Sequence, residues 1–350
     1  MTYALSPPER YQPPQKKSLS LALQGGGSHG AFTWGVLDRL LEDQRIEIEA
    51  FVGTSSGAIN ATVAAYGLEV ADAHTARQLL SEFWHSLAQL GKMSPLQPSW
   101  LDQLFSRGNM DYSPTWVLYD YFCRLFSPYQ LNPINLNFIK KILSGIVDFS
   151  YLHQAKKVKL FVCATNVLNA RLKIFEQQEV TPEAVMASAC LPFLFQAVEI
   201  DGHHYWDGGY LGNPPIFPLI YKTQSPDILV VQVNPINITE VPQSAQAILD
   251  RINTLSFNSS LMREMRVIHF ISSLITQEHL DEHKYKYPYI HTIDAEAELA
   301  EFSFSSKMNV DVNFLEYLFE MGRHKADTFI NTHFDKIGNE SSTDIMAKFY

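Results

Sequence analysis

The chain has 350 residues, of which 46% are hydrophobic and 18% are charged, so it can bury a sizeable core as one large domain or two modest ones. Its 37 acidic and 27 basic residues give a net charge of −10, which argues against general nucleic-acid binding because that needs a basic field. The cysteines are Cys123, Cys163 and Cys190, an odd number without a C-x-x-C pair, which argues against a disulfide framework or a zinc site. Cys163 lies in an apolar run and is predicted to be a buried thiol.

Residues 1–17 are predicted to be a flexible leader. They carry four prolines and lack the apolar stretch that a Sec signal peptide needs. The sequence also has no run of about 18 apolar residues, so it predicts no transmembrane segment. We therefore expect a cytoplasmic protein or one at the periphery of a membrane, and the same pattern is compatible with secretion as an effector by a route other than Sec.

The first predicted strand runs directly into a glycine loop. Residues 18–23 are compact and apolar, and residues 31–41 after the loop place apolar side chains at helical spacing. Consecutive glycine N–H groups in such a loop can form an anion-binding concavity. The glycines of the loop are Gly25, Gly26, Gly27 and Gly30.

Several interpretations of the glycine loop are open from its residues. Its spacing fits the dinucleotide fingerprint, but that motif needs a second strand ending in an acidic residue, and here the second strand ends in Gly53-Thr54-Ser55. A P-loop needs a Gly-Lys-Ser/Thr sequence, which is absent. The other chemical interpretation is an oxyanion hole formed by the Gly26 and Gly27 N–H groups, and a tight turn without chemistry is the structural alternative.

The second predicted strand, residues 49–52, leads into a serine turn. Gly53-Thr54-Ser55-Ser56-Gly57 matches G-x-S-x-G, and residues 58–65 are predicted to be helical. Strand, turn and helix in this order lift a serine hydroxyl onto a sharp bend at a helix N-terminus, where the dipole favours developing negative charge. The motif alone also fits an ordinary Gly-Ser turn. Ser56 is predicted to face outward at the helix start rather than to act as a rival nucleophile.

The stretch 91–150 differs from its surroundings because it is rich in proline and aromatic residues and has poor periodicity. It is either a lid or acyl-binding insertion beside the site or an ordinary hydrophobic subdomain. Residues 158–164 and 172–175 are then predicted to be paired strands, and residues 182–189 a helix.

Two Asp-Gly pairs follow this helix. Residues 197–206 are predicted to form a hairpin around Asp201-Gly202, which makes Asp201 a turn residue. Asp207-Gly208-Gly209 comes directly after the hairpin. Another hairpin turn is the structural alternative for this pair, but no clean strand follows Gly209, so the pattern does not specifically call for Asp207 as a turn residue.

The alternation of strands and helices favours an α/β fold with helices on both faces of a mainly parallel sheet. Residues 227–233 form a near-continuous apolar strand, as a sheet buried on both faces requires. The predicted main domain covers residues 18–235, and a mainly helical C-terminal extension at 236–335 packs on it. Residues 336–350 are a tail, and the polar segment after His333 is predicted to fray.

Three ordered motifs together resemble those of the bacterial patatin-like phospholipases. They are Gly25-Gly26-Gly27-Ser28-His29-Gly30, Gly53-Thr54-Ser55-Ser56-Gly57 and Asp207-Gly208-Gly209, with Ala187-Ser188-Ala189-Cys190-Leu191-Pro192 as supporting context. The serine turn follows only one earlier strand, whereas an α/β-hydrolase places it after several. The resemblance covers residues 19 to about 221, and the remainder resembles the helical C-terminal extension of one bacterial subgroup.

The resemblance implies a three-layer α/β/α patatin-like fold and a Ser–Asp dyad that cleaves carboxylic ester bonds of lipids, as a phospholipase A or lysophospholipase does. Ser55 would attack the ester carbonyl and Asp207 would take its proton. An oxyanion hole would come from Gly25, Gly26 and Gly27. The supporting glycines of the motifs are Gly30, Gly53, Gly57, Gly208 and Gly209. No cofactor and no metal is implied, and the expected partners are a lipid ester and a membrane surface rather than nucleic acid.

His29 departs from the family pattern, since many members carry Arg or Lys before the last glycine of the loop. Histidine is mostly neutral at pH 7, so the positive charge of those members is not expected here. The alternative for His29 is a third catalytic residue. Two other classes of function are open: a non-catalytic lipid- or acyl-binding module on the same fold, suggested by the aromatic insertion, and a dinucleotide-binding protein.

Overall fold

The structure is a computed structural model, and it describes residues 16–106, 108–277, 280 and 285–350. Residues 1–15 of the predicted leader therefore lie outside the described residues, and Lys17 already belongs to the first strand. The strands are β1 (Lys17–Leu23), β2 (Ile46–Gly53), β3 (Lys159–Asn166), β4 (Leu172–Glu176), β5 (Val198–Ile200), β6 (His203–Asp207), β7 (Asp227–Gln232) and β8 (Tyr289–Asp294).

The helices surround these strands. They are α1 (Gly30–Glu42), α2 (Ser56–Val70), α3 (Ala73–Lys92), α4 (Trp100–Phe105), α5 (Pro114–Leu125), α6 (Pro128–Leu131), α7 (Phe138–Ile146), α8 (Phe149–Leu152), α9 (Pro182–Ser188), α10 (Phe217–Lys222), α11 (Ala245–Thr276), α12 (Glu296–Leu299), α13 (Val312–His333) and α14 (Ile345–Phe349). Short 3-10 turns occur at Gly27–His29, Gln177–Glu179, Gly208–Tyr210, Phe304–Met308 and Phe334–Lys336.

The strands form one mixed, mostly parallel sheet in the order β5-β6-β3-β2-β1-β7-β8, and β4 pairs with β3 off this path. The central pairings β2–β1, β1–β7, β2–β3 and β7–β8 are parallel, and those of β4, β5 and β6 are antiparallel. Helices cover both faces, which confirms the predicted α/β fold. The predicted hairpin is also confirmed, because β5 and β6 flank Asp201 and Gly202, both with positive φ as a two-residue hairpin turn requires.

Strand β3 explains how two distant parts of the chain meet. Strand β4 pairs with Phe161–Thr165 along one edge of β3, so β2 and β6 must share its other edge. On that edge Gly53 of β2 pairs with Val162, and Asp207 of β6 pairs with Ala164. The end of β2 and the end of β6 therefore meet on one edge of β3, although they are far apart in sequence.

A separate hydrophobic cluster lies on each face of the sheet. The larger one joins the sheet to α1, α2, α3 and α13, and the smaller one joins it to α10, α11 and α14. Leu261, Met265 and Ile268 of α11 are buried in the smaller cluster, so this helix packs on the sheet through one apolar face.

The C-terminal extension is joined to the rest of the chain by the sheet and by a close helix contact. Strand β8 extends the sheet beyond β7, and α13 packs against α1. At this contact a Cβ on Gly35 would lie 1.9 Å from the Phe319 carbonyl oxygen, and one on Gly322 would lie 2.1 Å from the Phe32 carbonyl oxygen. The two glycines thus allow the helix backbones to approach more closely than any larger residue would permit.

The prediction that the segment after His333 frays is wrong. Thr343 N–H donates to the Ile290 carbonyl at 3.1 Å, and Ser341 Oγ accepts the Ile290 N–H at 2.9 Å, so the tail runs beside β8. Phe349 of α14 is fully buried in the smaller cluster. Burial of this one large apolar side chain stabilises the segment against the sheet, although most of its other residues are polar.

The aromatic stretch 91–150 forms the helices α4 to α8. Trp116 and Leu143 anchor it in the interior, while Trp100 and Phe105 are each 71% exposed. Further apolar side chains that face solvent in this stretch are Leu104, Val117, Leu118, Tyr121, Leu125, Ile134 and Phe138. Within the described ranges, no helix has both the length and the apolar character that crossing a bilayer would demand.

Candidate active site

Ser55 occupies a strained turn between β2 and α2. Its backbone has φ 55° and ψ −125°, a conformation that residues with a side chain rarely adopt and that is often held at functional sites. The turn is fixed by long-range bonds, because the Ser55 N–H donates to Ser188 Oγ at 2.9 Å and the buried Thr54 hydroxyl donates to the Gly212 carbonyl at 2.7 Å. The structure therefore holds the Ser55 side chain on a sharp bend at a helix N-terminus.

Ser56 does not face outward as predicted. It is buried, and its Oγ accepts the N–H of Gly26 at 3.1 Å. A hydroxyl directly at the start of α2 reaches the glycine loop because β1 and β2 are neighbouring parallel strands whose ends lie side by side. Ser56 thus ties the serine turn to the glycine loop.

Asp207 lies at the end of β6 and is buried. Its Oδ1 accepts the Gly209 N–H at 2.7 Å, whereas its Oδ2 is buried without a hydrogen-bond partner among the described residues. Burial raises the pKa of the carboxyl to about 7, although the Gly209 N–H, the nearby Ser55 hydroxyl and the positive charge of Lys307 each lower it. A carboxylate with one oxygen oriented and the other unpartnered is suited to accept a proton.

The glycine loop presents its N–H groups differently at each position. The Gly25 N–H donates to Asn213 Oδ1 at 2.7 Å, and the Gly26 N–H is held by Ser56. Among the described residues, none accepts a hydrogen bond from the Gly27 N–H. Gly27 has φ +60°, and a Cβ there would lie 2.3 Å from the Lys307 carbonyl oxygen, so both its conformation and its surroundings require glycine.

The supporting glycines of the motifs leave no space for a side chain. A Cβ would lie less than 3.0 Å from another atom at each of them: Gly30, Gly53, Gly57, Gly208 and Gly209. The motifs therefore allow β1, β2, α2 and the Asp207 turn to approach one another closely.

His29 is buried beside the loop but does not line the cavity of Ser55 and Asp207. Its Nε2 hydrogen-bonds Ser306 Oγ at 2.8 Å. Burial, together with the positive charge of Lys307, lowers the pKa of His29 to about 3, so the ring is neutral near pH 7. This geometry gives no support to His29 as a third catalytic residue.

Ser55 and Asp207 line the same small cavity of about 30 Å³. The other residues that line it are Gly25, Gly26, Gly27, Leu191, Asn213, Phe257, Phe304, Lys307 and Met308. Phe304 and Lys307 also line a larger cleft of about 940 Å³, so the two spaces adjoin. A third cavity of about 490 Å³ between α4 and α13 contains none of the predicted site residues.

The structure thus brings Ser55, Asp207 and the loop glycines together, and their catalytic roles stay predictions. Sequence analysis did not single out Asn213, which bonds the Gly25 N–H from a loop, or Lys307, which lines the cavity from the 3-10 turn Phe304–Met308. Ser188 was part of a recognised motif, but its bond to the Ser55 N–H had no signal in the sequence. In the part of the chain that the structure describes, no group of His, Cys, Asp and Glu side chains is arranged to hold a metal ion.

The fold and the site have the arrangement of an ester hydrolase. A mainly parallel sheet lies between two helix layers, and a strained serine turn, a buried aspartate and a glycine loop meet at one cavity. A family model for the patatin-like phospholipases matches residues 21–220, which is more than half of the chain. The chain therefore belongs to the patatin-like phospholipase family. The match ends before α11, so it leaves the C-terminal extension uncovered.

Comparison with other proteins gives distant similarities. The crystal structure of VipD from Legionella pneumophila aligns at 14% identity with a TM-score of 0.46, over 96% of this chain and 73% of VipD. Full-length ExoU of the type III secretion system of Pseudomonas aeruginosa, solved in complex with SpcU, aligns at 14% identity with a TM-score of 0.34. That alignment covers 90% of this chain and 53% of ExoU. No curated protein sequence matches the chain.

Proposed function

We propose that the protein is a serine acyl hydrolase that cleaves carboxylic ester bonds of phospholipids or lysophospholipids. The observation that carries the proposal is the shared cavity of Ser55 and Asp207, in which Asp207 Oδ2 is buried without a partner. Membership of the patatin-like phospholipase family supports the lipid ester as substrate.

In the acylation step, Ser55 Oγ attacks the ester carbonyl carbon while Asp207 Oδ2 accepts the hydroxyl proton. A base with a pKa near the working pH combines a large ionised fraction with an adequate driving force for proton transfer. The tetrahedral intermediate then expels the alcohol, which takes the proton from Asp207, and an acyl group remains on Ser55.

In the deacylation step, Asp207 removes a proton from a water molecule that attacks the acyl carbonyl. The second tetrahedral intermediate breaks its bond to Ser55 Oγ, the serine regains a proton, and the fatty acid leaves. One carboxylate serves both steps, so no histidine is needed between Ser55 and Asp207.

We assign the oxyanion hole to Gly26 and Gly27. The Gly27 N–H is without an acceptor in the described chain, and the Gly26 N–H makes a 3.1 Å bond to Ser56 Oγ that the stronger charge of an oxyanion can replace. The Gly25 N–H is engaged with Asn213 Oδ1 at 2.7 Å, so we assign Gly25 a packing role instead. A Cβ on Gly25 would lie 2.5 Å from Ser55 Cβ, which supports this role.

We further propose that the exposed apolar residues of α4 and α5 contact the membrane surface that supplies the lipid. Trp100, Leu104 and Phe105 of α4 are each at least 65% exposed, and α5 exposes further apolar side chains, a concentration of exposed apolar residues that is typical of an interaction site. Trp116 of α5 packs near Phe304, with ring centroids 6.5 Å apart, so the surface adjoins the turn that lines both cavities.

Release of fatty acid from phospholipid vesicles and of p-nitrophenol from short-chain esters tests the proposal. We expect wild-type protein to hydrolyse both, and Ser55→Ala and Asp207→Asn to lose nearly all activity. Equal hydrolysis by the wild type and both variants would contradict the assigned dyad. Vesicle binding without any hydrolysis by the wild type would instead favour a non-catalytic lipid-binding module.

A further inference from the structure

Lys307 lies at the boundary between the small cavity and the larger cleft. It lines both spaces, and among the described residues it is the only cationic side chain that lines the cavity of Ser55 and Asp207. It belongs to the turn Phe304–Met308, which lies beyond residues 21–220 where the family model matches. The positive charge at the site therefore comes from the C-terminal extension.

The backbone of this turn is fixed against the glycine loop. A Cβ on Gly27 would lie only 2.3 Å from the Lys307 carbonyl oxygen, so the turn lies directly against the loop. The Oγ of the neighbouring Ser306 hydrogen-bonds His29 Nε2 at 2.8 Å. Two contacts on adjacent residues set the position of Lys307 relative to the loop.

The Lys307 ammonium lies in a partly buried position at the edge of the larger cleft. Its Nζ donates to Asn234 Oδ1 at 2.7 Å, and it forms no ion pair with a carboxylate of the described chain. Burial lowers the pKa of Lys307 to about 8, while Asp250 and Asp207 raise it, so the group is mainly protonated at pH 7. Partial burial of a charge without an ion-pair partner lowers stability, which favours a functional role for Lys307.

The loop itself supplies no cation. The position before Gly30 is His29, whose ring is neutral near pH 7 because burial lowers its pKa. Lys307 lines the same cavity as Asp207, and its neighbour Ser306 hydrogen-bonds His29, so its charge lowers the pKa of both groups. Lys307 therefore brings a positive charge close to the glycine loop, whose own residues carry none.

We propose that Lys307 supplies the positive charge of this active site, acting as a positioning residue that keeps Asp207 ionised and favours negative charge on the ester oxygen. The inference rests on the proposed acyl hydrolase function. The ionisable groups around the pair are Asp250 of α11, His29 before α1, Cys163 of β3, Cys190 after α9 and Tyr210 beside Asp207. The three last-named groups stay neutral near pH 7 because burial raises the pKa of each.

The test is the pH profile of kcat/KM for a soluble, uncharged p-nitrophenyl ester, which has no phosphate that Lys307 could bind. We expect Lys307→Met to lower kcat/KM about tenfold or more. The acid limb of its profile should move to higher pH by about half a unit to one unit, because Asp207 loses a neighbouring positive charge. Lys307→Arg keeps the charge, so it should retain the acid limb of the wild type.

Lys286→Met is the matched control. Lys286 is also half-buried with a pKa lowered by burial, but its Nζ donates to the Leu219 carbonyl and the Thr223 hydroxyl at the C-terminal end of α10, and it does not line the cavity of Ser55 and Asp207. This variant should leave the profile unchanged. If Lys307→Met does not give a folded protein by circular dichroism, Lys307→Gln carries the same expectation with a polar side chain that can still bond Asn234.

Labelling of Ser55 by a fluorophosphonate distinguishes a failure of the Lys307 proposal from a failure of the proposed acyl hydrolase function. A folded Lys307→Met or Lys307→Gln protein with wild-type kcat/KM and an unmoved acid limb would overturn the role of Lys307, while wild-type labelling at Ser55 would leave the acyl hydrolase standing. Absence of labelling in the wild type would overturn both.

Discussion

Asp207 Oδ1 accepts the Gly209 N–H at 2.7 Å, and this bond orients the carboxylate so that Oδ2 is buried without a partner in the described chain. Burial raises the pKa of Asp207 to about 7, far above the ordinary value of about 3.9. Asp207 is therefore suited to act as a base, and its ionisation in the folded state lowers the stability of the protein. Both consequences can be measured.

The activity should depend on pH through Asp207. The base must be ionised to accept the Ser55 proton, so kcat/KM should fall as the pH is lowered through about 7. Hydrolysis of an uncharged soluble ester between pH 5 and 8 checks this, with each buffer tested for effects on the spontaneous reaction. A flat profile down to about pH 5 would contradict Asp207 as the base.

Replacing Asp207 should stabilise the protein at high pH while it removes activity. The folded-state pKa lies above the unfolded one, so the folded state binds more protons between about pH 4 and pH 7 and loses stability as the pH rises through that range. Asp207→Asn removes this penalty and should raise the free energy of unfolding by about 1–3 kcal/mol at pH 8, with little change near pH 4.

Urea unfolding of the wild type and Asp207→Asn at the two pH values measures this difference. Asp201→Asn is the matched control, because Asp201 is exposed at a hairpin turn where asparagine is equally suited. An Asp207→Asn protein that is less stable than the wild type at pH 8 would mean that ionisation of the buried carboxylate does not destabilise the folded state.

The contact between α1 and α13 should be sensitive to a single methyl group. Gly35→Ala and Gly322→Ala would each place a Cβ against the backbone of the facing helix, so each should lower the free energy of unfolding by about 1–3 kcal/mol despite the better helix propensity of alanine. Gly145 of α7 has no atom within 4 Å of such a Cβ, and Gly145→Ala should instead stabilise by about 0.5–1 kcal/mol. Gly35→Ala with the stability of Gly145→Ala would contradict this packing of the extension.

The exposed apolar surface of α4 should be needed for membrane contact and not for chemistry. The double variant Trp100→Ser with Phe105→Ser should bind phosphatidylcholine vesicles at least about tenfold more weakly, because two large apolar side chains no longer enter the bilayer surface. Its kcat/KM for a soluble short-chain ester should stay at the wild-type value. Tyr221→Ser, which removes a 79% exposed ring from α10, is the control for a general loss of apolar surface. Equal vesicle binding by the double variant would exclude α4 from the docking surface.

The local parts of the site could be predicted from the sequence. The turn at Ser55 has its strand, its glycines and its helix within one short segment, so pattern and spacing suffice. The hairpin before Asp207 is equally local. The position of Asp207 beside Ser55 could be assigned only by family resemblance, because it depends on β6 pairing along the same edge of β3 as β2.

The contacts of the site between residues distant in sequence could not be predicted from a sequence pattern. Asn213 and Lys307 each contribute a single side chain from a loop and from a short 3-10 turn, where neither periodicity nor composition indicates a role. The outward placement of Ser56 was wrong because the neighbouring β1 loop covers that position. The fraying of the tail was wrong because the burial of Phe349 is decided by a cavity formed from distant elements.

Mass mapping after fluorophosphonate treatment tests the central claim most directly, since this reagent forms a covalent bond only with an activated nucleophile. The account predicts one adduct on the wild type, located on Ser55, absent from Ser55→Ala and strongly slowed in Asp207→Asn. Ser56 should carry no adduct in any of these proteins, because it is buried and engaged with Gly26. An unlabelled wild type, or labelling that persists in Ser55→Ala, would contradict Ser55 as the nucleophile.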